Sequence, residues 1–538
     1  MDVPLRSLNR RHWLKTMGTM FAGTTVPLSH AISSLAEEPA ALPIRDIGSR
    51  RELFVDSWLI ARLEHARLVL HRPQPQEVAF QCDQPWETAG PGYPTVLRDG
   101  DRYRLYYRCQ PPGGSEDGDE RQVTCYAESS DGVSWTKPNL GLFEFQGSKE
   151  NNIVWRGALA HNFTPFRDSN PDCAEDEQYK AVGGVRWGSG GLWALVSPDG
   201  IHWRKRDDRP LPLAGNFDSQ NVVFWDAAHA LYRAYWRDHR RNDPRVPDGR
   251  DVRTAVSEDF VQWSERRWLD YDPGRNGTTQ KPADPQSAHQ FYTNGVQPYH
   301  RAPHLLLGFP MRYIDRGWRA STDALPDLNR RRELADKNVG GGRPTREGTA
   351  LTDVMFMASR DGERFFVWPE AMVRPGIQRP GSWFYGSTWY SQGIVETEPL
   401  FAGAPRELSI YVSENAHQET PQRLRRYTFR IDGFASAHAS LQGGELLTKP
   451  ITFDGDRLQI NFATSAGGSL QVEIQDADGN PVPGVRLADC HEQFGDELER
   501  IVSWKSGTDV SKLSGKPVRL RFVLKDADLY SFQFTSNE

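Results

Sequence analysis

The chain has no excess of positive charge and, after its first 30 residues, no long apolar run. A membrane-spanning helix needs about 20 consecutive apolar residues, so the later sequence excludes one. Lys and Arg number 65 against 71 Asp and Glu, which gives a formal net charge of −6 at pH 7 and a pI near 6.2. That balance leaves no basic face for nucleic acid. We therefore expect neither a membrane span nor a nucleic-acid partner.

Cysteine is also scarce. The chain has five: Cys82, Cys109, Cys125, Cys173 and Cys490. An odd number without metal-ligand spacing argues against a disulfide framework and against a metal cluster. The alternative is one cross-strand bridge, because Cys109 ends a strand-like run and Cys125 lies in the next one.

The N-terminus carries a targeting pattern. Asn9-Arg10-Arg11-His12-Trp13-Leu14-Lys15 and the weakly apolar run Met17–Leu28 are typical of a twin-arginine export signal, with a cleavage region after Ser29–Ala31. We assign residues 1–36 to this signal peptide. The expected product is a soluble protein, periplasmic or secreted.

One short phrase recurs along the chain: a Ser, one residue, an Asp, usually a Gly, two residues and usually a Trp. Its copies are Ser129–Trp135, Ser197–Trp203, Ser257–Trp263 and the degraded Ser359–Phe365. Asp-Gly after a strand favours a tight turn, since Asp bonds its own backbone and Gly tolerates positive φ. The repeat predicts stacked sheets with one such hairpin each, and the wide spacing suits propeller blades that carry loop insertions.

Strand-like runs dominate and long helical periods are missing, which predicts an all-β chain. We place a β-propeller over residues 45–438, where the runs at Leu53–Asp56 and Leu68–Leu70 open a first blade or close the ring. Asp315–Ala350 is expected to be a long insertion or flexible loop at the cleft rim. Over residues 439–538, alternating runs such as Leu470–Ile474 and a turn at Asp478–Pro481 predict a β-sandwich.

Five strands are preceded by a polar or aromatic segment, which we call a lead-in segment. The five are Pro85–Tyr93, His161–Thr164, Phe217–Asn221, Tyr292–Gln297 and Tyr390–Glu398. The innermost strand of a propeller blade faces the central channel, so one such segment per blade builds a ligand site there. Five lead-in segments predict five blades.

On these features the chain resembles the exported five-bladed propeller glycosidases, the broad group that includes glycoside hydrolase families 43 and 32. A similar Ser-x-Asp-x-x-x-Trp phrase recurs there and a β-sandwich often follows. The likeness covers roughly residues 50–538, and it extends to uncharacterised proteins of environmental bacteria with the same plan. Arg167-Asp168 is similar to the Arg-Asp-Pro box of family 32, with Ser169 in place of Pro. The Asn-Asp-Pro-Asn and Glu-Cys motifs of that family are absent.

The resemblance implies a glycoside hydrolase that needs no redox cofactor and acts on a carbohydrate, and we expect a monomer. It allows a structural Ca²⁺ in the channel, although no run of ligands in this sequence requires one. It also implies that Asp168 orients a hydroxyl or raises the pKa of a neighbour. Turn chemistry is the alternative for Asp168.

Glycoside hydrolysis typically uses one protonated and one ionised carboxyl group. Asp218, which opens a strand among amides, is the first candidate, although it also suits a turn cap. Its partner is Glu87, Glu396 or Glu398, each of which also suits a solvated or rim charge. Asp56 matches the place of the base in family 43, but its apolar surroundings favour a strand-end residue.

The sequence is rich in aromatics, with 17 Trp, 17 Tyr and 25 Phe, on which sugar rings stack and from which propeller cores are also built. The candidate substrate-binding residues lie in the lead-in segments or, in the case of Trp389, directly before one. They are Trp86, Tyr93, His161, Asn162, Gln220, Asn221, Tyr292, Asn294, Trp389 and Gln392. We expect no metal ligands among them.

Two competing functions stay open. One is a glycan-binding propeller without catalysis, which tolerates the loss of either acid. The other is a sialidase-like hydrolase with Tyr292 as nucleophile and Arg253 and Arg312 on the substrate carboxylate, although sialidase hairpins have one more residue between Asp and Gly.

Overall fold

The computed structural model describes residues 43–111, 120–240, 249–272, 290–337, 346–418 and 421–536. These residues are nearly all in strands and loops, so the all-β prediction is confirmed. The α-helices found in them are Arg186–Ser189, Ala320–Asp323, Leu328–Lys337 and Arg346–Thr349. Short 3-10 turns cover Ala158–Asn162, Glu175–Glu177, Leu487–Asp489 and Ser511–Leu513.

Five sheets follow one another along the chain, and we number them I to V. Sheet I contains Gly92–Asp99, Arg102–Cys109, Val123–Ser129 and Ile153–Arg156; sheet II contains Thr164–Arg167, Tyr179–Gly183, Trp193–Ser197 and Arg204–Lys205. Sheet III contains Val222–Asp226, Leu231–Arg240, Gly249–Ser257 and Arg267–Trp268. Sheet IV contains Gln297–Tyr299, Ala302–Gly308, Met357–Ser359, Arg364–Val367 and Asp270–Asp272. Sheet V contains Val395–Thr397, Glu407–Glu414, Arg423–Phe429 and, from the other end of the chain, Gln74–Gln81.

The recurring phrase forms the same turn in each copy. The Ser129 hydroxyl accepts a hydrogen bond from the Gly132 amide at 2.9 Å, and the Asp131 carboxylate accepts from the amides of Val133 and Ser134 at 2.7 Å. The bonds to the Asp carboxylate recur in the other three copies, and the bond from the Gly amide to the Ser hydroxyl recurs at Ser197 and Ser359. The predicted Asp-based turn is thus confirmed in all four, because the side chains satisfy the backbone donors of the reversal.

These turns also join neighbouring sheets. Tyr106 of sheet I donates a hydrogen bond to the Gly200 carbonyl of sheet II, and Tyr235 of sheet III donates to the Gly362 carbonyl of sheet IV. Tyr411 of sheet V donates to the Gly132 carbonyl of sheet I. Sheet V therefore contacts sheet I, and the first and last of the five sheets are neighbours in space.

A separate ten-stranded sheet gathers both ends of the described chain. Its strands are Arg45–Gly48, Glu52–Leu53, Ile60–Glu64, Ala66–Leu70, Ala435–Ala439, Gly444–Thr448, Ile451–Phe453, Arg457–Asp476, Asp496–Ile501 and Val518–Thr535. It encloses an apolar core that includes Leu470, Phe522 and Trp504. The Asp478–Pro481 turn is present and is bonded to the Asp476 carboxylate.

The expectation that the first strand-like runs open a blade or close the ring is wrong. Leu53 pairs with Ser531 and Leu68 pairs with Ala437, so both runs belong to the ten-stranded sheet. Partners this distant in sequence cannot be read from local alternation. Residues 43–538 form one compact unit, and the boundaries 45–438 and 439–538 stay a prediction.

The segment after Asp315 is more ordered than expected. A three-stranded sheet of Gln290–Phe291, Met311–Asp315 and Ala350–Val354 encloses its ends. Inside it, Arg331 is fully buried and donates to the carbonyls of Pro326, Gly348 and Trp383. The described residues of this segment therefore form a partly helical insertion, the first of the two alternatives, and a buried guanidinium anchors it.

The cysteines contradict the alternative of a cross-strand bridge. All five are free thiols in the structure. In the register of sheet I, Cys125 faces Tyr107 and Cys109 faces Val123. Burial raises the pKa of the Cys109 thiol well above its usual value, so the group stays protonated.

Candidate functional site

The lead-in segments of the sheets contact one another through aromatic rings. The Tyr93 ring stacks on Trp389 with centroids 5.2 Å apart and meets the His161 ring edge-on at 5.9 Å. Tyr292 also stacks on Trp389, at 5.8 Å, and meets Tyr385 at 5.7 Å. Four predicted substrate-binding residues, from the segments of sheets I, II, IV and V, are thus brought together, although Tyr93 and Tyr292 are largely buried.

The predicted amides lie in the same region but bond the protein itself. Gln220 donates to the carbonyls of Tyr93 and Pro94 at 3.2 and 3.0 Å. The remaining amides behave in the same way: Asn162 and Asn221 donate to Phe217, Asn294 to Gln220 and Gln392 to Val296. These residues hold the lead-in segments together, and a role in ligand binding stays a prediction for them.

Asp218 occupies the centre of this region. One carboxylate oxygen accepts a hydrogen bond from Arg237 Nη2 at 2.8 Å, and the other lies 3.3 Å from His161 Nε2. Burial alone would raise the pKa of Asp218, but the hydrogen bond from His161 and the charge of Arg237 hold it well below its ordinary value. The side chain keeps 15% of its surface exposed. Asp218 is therefore an ionised carboxylate that a ligand can reach.

His161 and Arg237 are held in place by further contacts on the side away from Asp218. His161 Nδ1 lies 3.1 Å from Arg108 Nη1 and 3.2 Å from the Gln122 amide oxygen. The guanidinium of Arg237 lies 4.5 Å from the Tyr292 ring centre and that of Arg108 lies 4.9 Å from the Tyr93 ring centre. The carboxylate thus sits in a rigid, positively charged setting.

Sequence reasoning missed Arg108, Arg237 and Gln122. A usable signal was present for Arg237, because it lies in the mostly apolar, buried strand Leu231–Arg240 and shares a strand face with Tyr235. A buried charge at that place needs a partner, and Asp218, in the lead-in segment of the same sheet, is one of the acids near it in sequence. For Arg108 and Gln122 the sequence offered no comparable indication.

Glu87 and Trp86 lie in the packing of sheet I. The Glu87 carboxylate is buried and accepts from the Tyr107 hydroxyl, from Lys137 Nζ at 2.6 Å and from two backbone amides. Trp86 donates to the Asn152 side chain at 2.8 Å. No described contact joins either residue to Asp218.

Asp168 is buried between sheets II and III. It accepts from Lys180 Nζ and from the Tyr232 hydroxyl, both at 2.6 Å, and its side chain is 0% exposed. Its carboxylate also accepts from the Asn170 amide at 2.9 Å, as turn chemistry requires. The described structure therefore gives Asp168 a local, structural set of partners.

The two remaining acids pair with other cations. Glu396 accepts from His300 Nε2 at 2.7 Å, and that hydrogen bond lowers the pKa of Glu396. Glu398 is exposed and pairs with Arg406. Of the five predicted catalytic acids, only Asp218 has described contacts with the aromatic cluster.

The arginines of the sialidase-like alternative are engaged elsewhere. Arg312 forms a two-point ion pair with Asp353. Arg253 lies 3.5 Å over the Trp268 ring, with Asp238 at 3.5 Å. Only Tyr292 of that trio belongs to the Asp218 site, which we define as Tyr93, His161, Asp218, Arg237 and Tyr292.

The described residues do not fit a channel Ca²⁺. Calcium takes six to eight oxygen ligands, whereas both oxygens of Asp218 already face nitrogen donors. Nowhere in the described part of the chain do three His, Cys, Asp or Glu side chains gather as a metal site.

No described helix is long and apolar enough to cross a membrane.

A cavity of about 560 Å³ lies beside the Asp218 site. Its lining residues are Arg186, Trp187, Asn216, Asp238 and His239. Asn216 directly precedes the lead-in segment that contains Asp218, and Asp238 directly follows Arg237 in the same strand. The cavity residues were not among the sequence predictions.

Comparisons with known proteins do not assign the chain to a family. No family model matches it. Two uncharacterized proteins of Mycobacterium tuberculosis strains are 27% identical over 113 residues, which is 21% of this chain and 33% of each relative. The matched segment therefore spans a third of the length of these relatives.

Several solved structures share part of the strand arrangement. An N-acetylgalactosamine deacetylase from F. plautii, in complex with blood group B trisaccharide, has a TM-score of 0.39 and 13% identity over 68% of this chain and 95% of its own. A family 32 beta-fructofuranosidase from Bombyx mori has a TM-score of 0.38 and 9% identity over 87% and 95%. A fructofuranosidase from Schwanniomyces occidentalis has a TM-score of 0.35 and 10% identity, and the match covers 86% of this chain and 98% of its own. TM-scores below 0.5 carry no inference about this chain, so its function must come from its own residues.

Proposed function

We propose that sheets I to V are the blades of a five-bladed β-propeller and that the ten-stranded sheet forms a companion β-sandwich. The contact between sheet V and sheet I supports ring closure, as does the strand Gln74–Gln81, which completes sheet V from the start of the described chain. In this arrangement the lead-in segments surround the channel, and Asp218 lies at its mouth.

We further propose that the protein is a glycosidase-like enzyme that binds a saccharide over Asp218. The observation that carries this proposal is an ionised, partly exposed carboxylate among Tyr93, Tyr292 and Trp389. Trp389 is partly exposed and can offer an apolar face to a sugar ring, while the buried Tyr93 and Tyr292 pack against it. A fixed carboxylate binds hydroxyls or a reacting water. Export through the segment 1–36 and a monomeric state belong to the same proposal.

Asp218 suits the ionised role in hydrolysis of a glycosidic bond. Held by Arg237 and His161, it can orient an attacking water or stabilise positive charge at the anomeric carbon. The leaving oxygen needs a proton from a second group in the cleft. The contacts of Glu87, Glu396 and Glu398 argue against each of them as that group.

The second candidate is a glycan-binding protein without turnover. It is favoured by the engagement of both Asp218 oxygens and by the lack of a second acid among the described contacts of the Asp218 site. Such a protein would use the same aromatic surfaces and the same carboxylate for hydroxyl recognition.

One experiment separates the two. The purified protein and its Asp218→Asn, Asp218→Glu and Glu398→Gln variants are tested for turnover and for binding on panels of oligosaccharides and aryl glycosides. For an enzyme we expect the Asn and Glu variants to lose about 10²–10⁴-fold in turnover while binding persists. Glu398→Gln, an exposed acid, is the control and should match the wild type.

The Glu variant excludes a merely structural role, because it keeps the charge that faces buried Arg237 but displaces the carboxylate. Recovery of full turnover by Asp218→Glu would therefore contradict the catalytic assignment. Saccharide binding with no turnover by the wild type would support the second candidate, and no binding at all would reject both.

A further inference from the structure

The cavity beside the Asp218 site contains an indole with an exposed face. Trp187 is 54% exposed and has no described aromatic or cationic partner. Its short helix is rigid, because Ser189 bonds the backbone of Val185 and Gly191 and accepts, at its carbonyl, the indole N–H of Trp193. A large apolar ring held outward on a fixed turn beside a cavity is typical of a binding surface.

Polar side chains line the cavity beside this indole, and two of them are without a described hydrogen bond. The Arg186 guanidinium and the Asn216 amide make no hydrogen bond to another residue of the described structure. Asp238 accepts from the His239 backbone amide at 2.9 Å, lies 3.5 Å from Arg253 Nε and keeps 20% of its side chain exposed. The cavity thus offers two sets of free donors and one acceptor next to an aromatic face.

The cavity is also linked rigidly to Asp218. Phe217 lies between Asn216 and Asp218 with a φ of 60°, and its carbonyl accepts from Asn162 and Asn221. Residues two apart lie within about 7 Å along the chain, comparable to one sugar unit. A second connection is the strand Leu231–Arg240, where Arg237 pairs with Asp218 and the next two residues, Asp238 and His239, line the cavity.

We propose that this cavity is a saccharide subsite adjoining Asp218, and that the ligand is an oligosaccharide of at least two units. One sugar ring lies over Asp218 and the next stacks on Trp187, with its hydroxyls bonded to Asn216, Asp238 and Arg186. The proposal rests on the proposed function for the nature of the ligand, and it adds the chain length and the residues that recognise it.

The test compares Trp187→Ala with Trp318→Ala in the full protein. Trp318 is the matched control, because it is 42% exposed and bonded to Asp323 outside the cavity lining. The probes are xylo-, arabino-, fructo- and galacto-oligosaccharides together with their monosaccharides. Calorimetry measures the affinity of each protein for each probe. We expect Trp187→Ala to weaken oligosaccharide binding about tenfold and to leave monosaccharide binding unchanged. Trp318→Ala should match the wild type.

A second measurement needs no variant. Oxidation of exposed tryptophans, mapped by mass spectrometry, should slow at Trp187 but not at Trp318 when the bound oligosaccharide is present. Equal oxidation of Trp187 with and without a bound oligosaccharide would overturn the subsite while leaving the proposed function intact. Failure of the wild type to bind any probe would overturn both.

Discussion

Asp168 and Asp218 begin as similar candidates and end in different environments. Asp168 directly follows the strand Thr164–Arg167, and Asp218 lies in the segment that leads into the strand Val222–Asp226. Each pairs with a cation from the next strand of its own sheet, Lys180 at 2.6 Å and Arg237 at 2.8 Å. The Asp168 side chain is 0% exposed and its partners enclose it, whereas Asp218 keeps 15% of its surface open. Ion pairing is thus common to both acids, and access for a ligand distinguishes them.

We therefore expect the loss of each carboxylate to affect a different property, stability for Asp168 and ligand binding or chemistry for Asp218. A sealed ion pair holds the fold, because removing one member leaves the other buried and uncompensated. An open carboxylate in a cleft can do chemistry, because the groups that hold it also keep it ionised. Glu52, whose side chain is also 0% exposed and which lies among Arg360, Arg50 and His304, belongs with Asp168.

The largest effect on stability is expected for Asp168→Ala. It leaves the Lys180 ammonium buried without a counter-charge and removes the acceptor of Tyr232, so we expect a loss of about 3–5 kcal/mol of unfolding free energy. Urea denaturation measures it. The double variant Asp168→Ala with Lys180→Met should recover part of the loss, and a single-variant loss below about 1 kcal/mol would remove the contrast with Asp218.

The contribution of buried Glu52 to the free energy of unfolding is expected to depend on pH. Burial alone would raise the pKa of Glu52, but Arg360, followed by His304 and Arg50, lowers it to about 2. A lowered folded-state pKa stabilises the protein above the unfolded value and loses that contribution as the pH falls toward 2. Glu52→Gln should therefore cost about 3 kcal/mol at neutral pH.

The measurement for Glu52 is the urea midpoint of wild type and Glu52→Gln as a function of pH. The difference between the two proteins should shrink as the pH falls from about 4.5 toward 2. A difference that is constant over this range would show that the ionised carboxylate is not the source of the stability.

A smaller effect is expected at the contact between sheets V and I. Tyr411→Phe removes the hydroxyl that bonds the Gly132 carbonyl, at a cost of about 1 kcal/mol in unfolding free energy. Tyr106→Phe and Tyr235→Phe, which remove the equivalent bonds to Gly200 and Gly362, should cost similar amounts. A negligible loss for Tyr411→Phe alone would weaken the argument that the sheets close into a ring.

Local patterns predicted the parts of this fold that local chemistry determines. The Ser-x-Asp turns follow from side chains that bond their own backbone, and the all-β class follows from alternating apolar residues. Asp218 was recognised as a candidate because it opens a strand beside the amides Gln220 and Asn221. Those amides proved to tie neighbouring segments together, which depends on distant backbone that the local sequence does not reveal.

Contacts between distant segments escaped prediction. Leu53 pairs with Ser531, and His161 joins Arg108 to Asp218, through chain separations that no periodicity encodes. Arg331 makes an ordered unit of a segment whose composition favours a loop, because a single buried guanidinium satisfies several carbonyls. Trp187 was missed for a related reason, since exposure is a property of the folded chain.

The most direct test of the central claim is a crystal structure of the Asp218→Asn protein with a bound oligosaccharide. The account predicts a sugar oxygen within about 3 Å of the side chain at position 218, with the adjoining ring against Trp187. A second cavity lies on the ten-stranded sheet and is lined by Gln471, Glu473 and Arg486. An oligosaccharide bound in that cavity, with no sugar near position 218, would contradict the account.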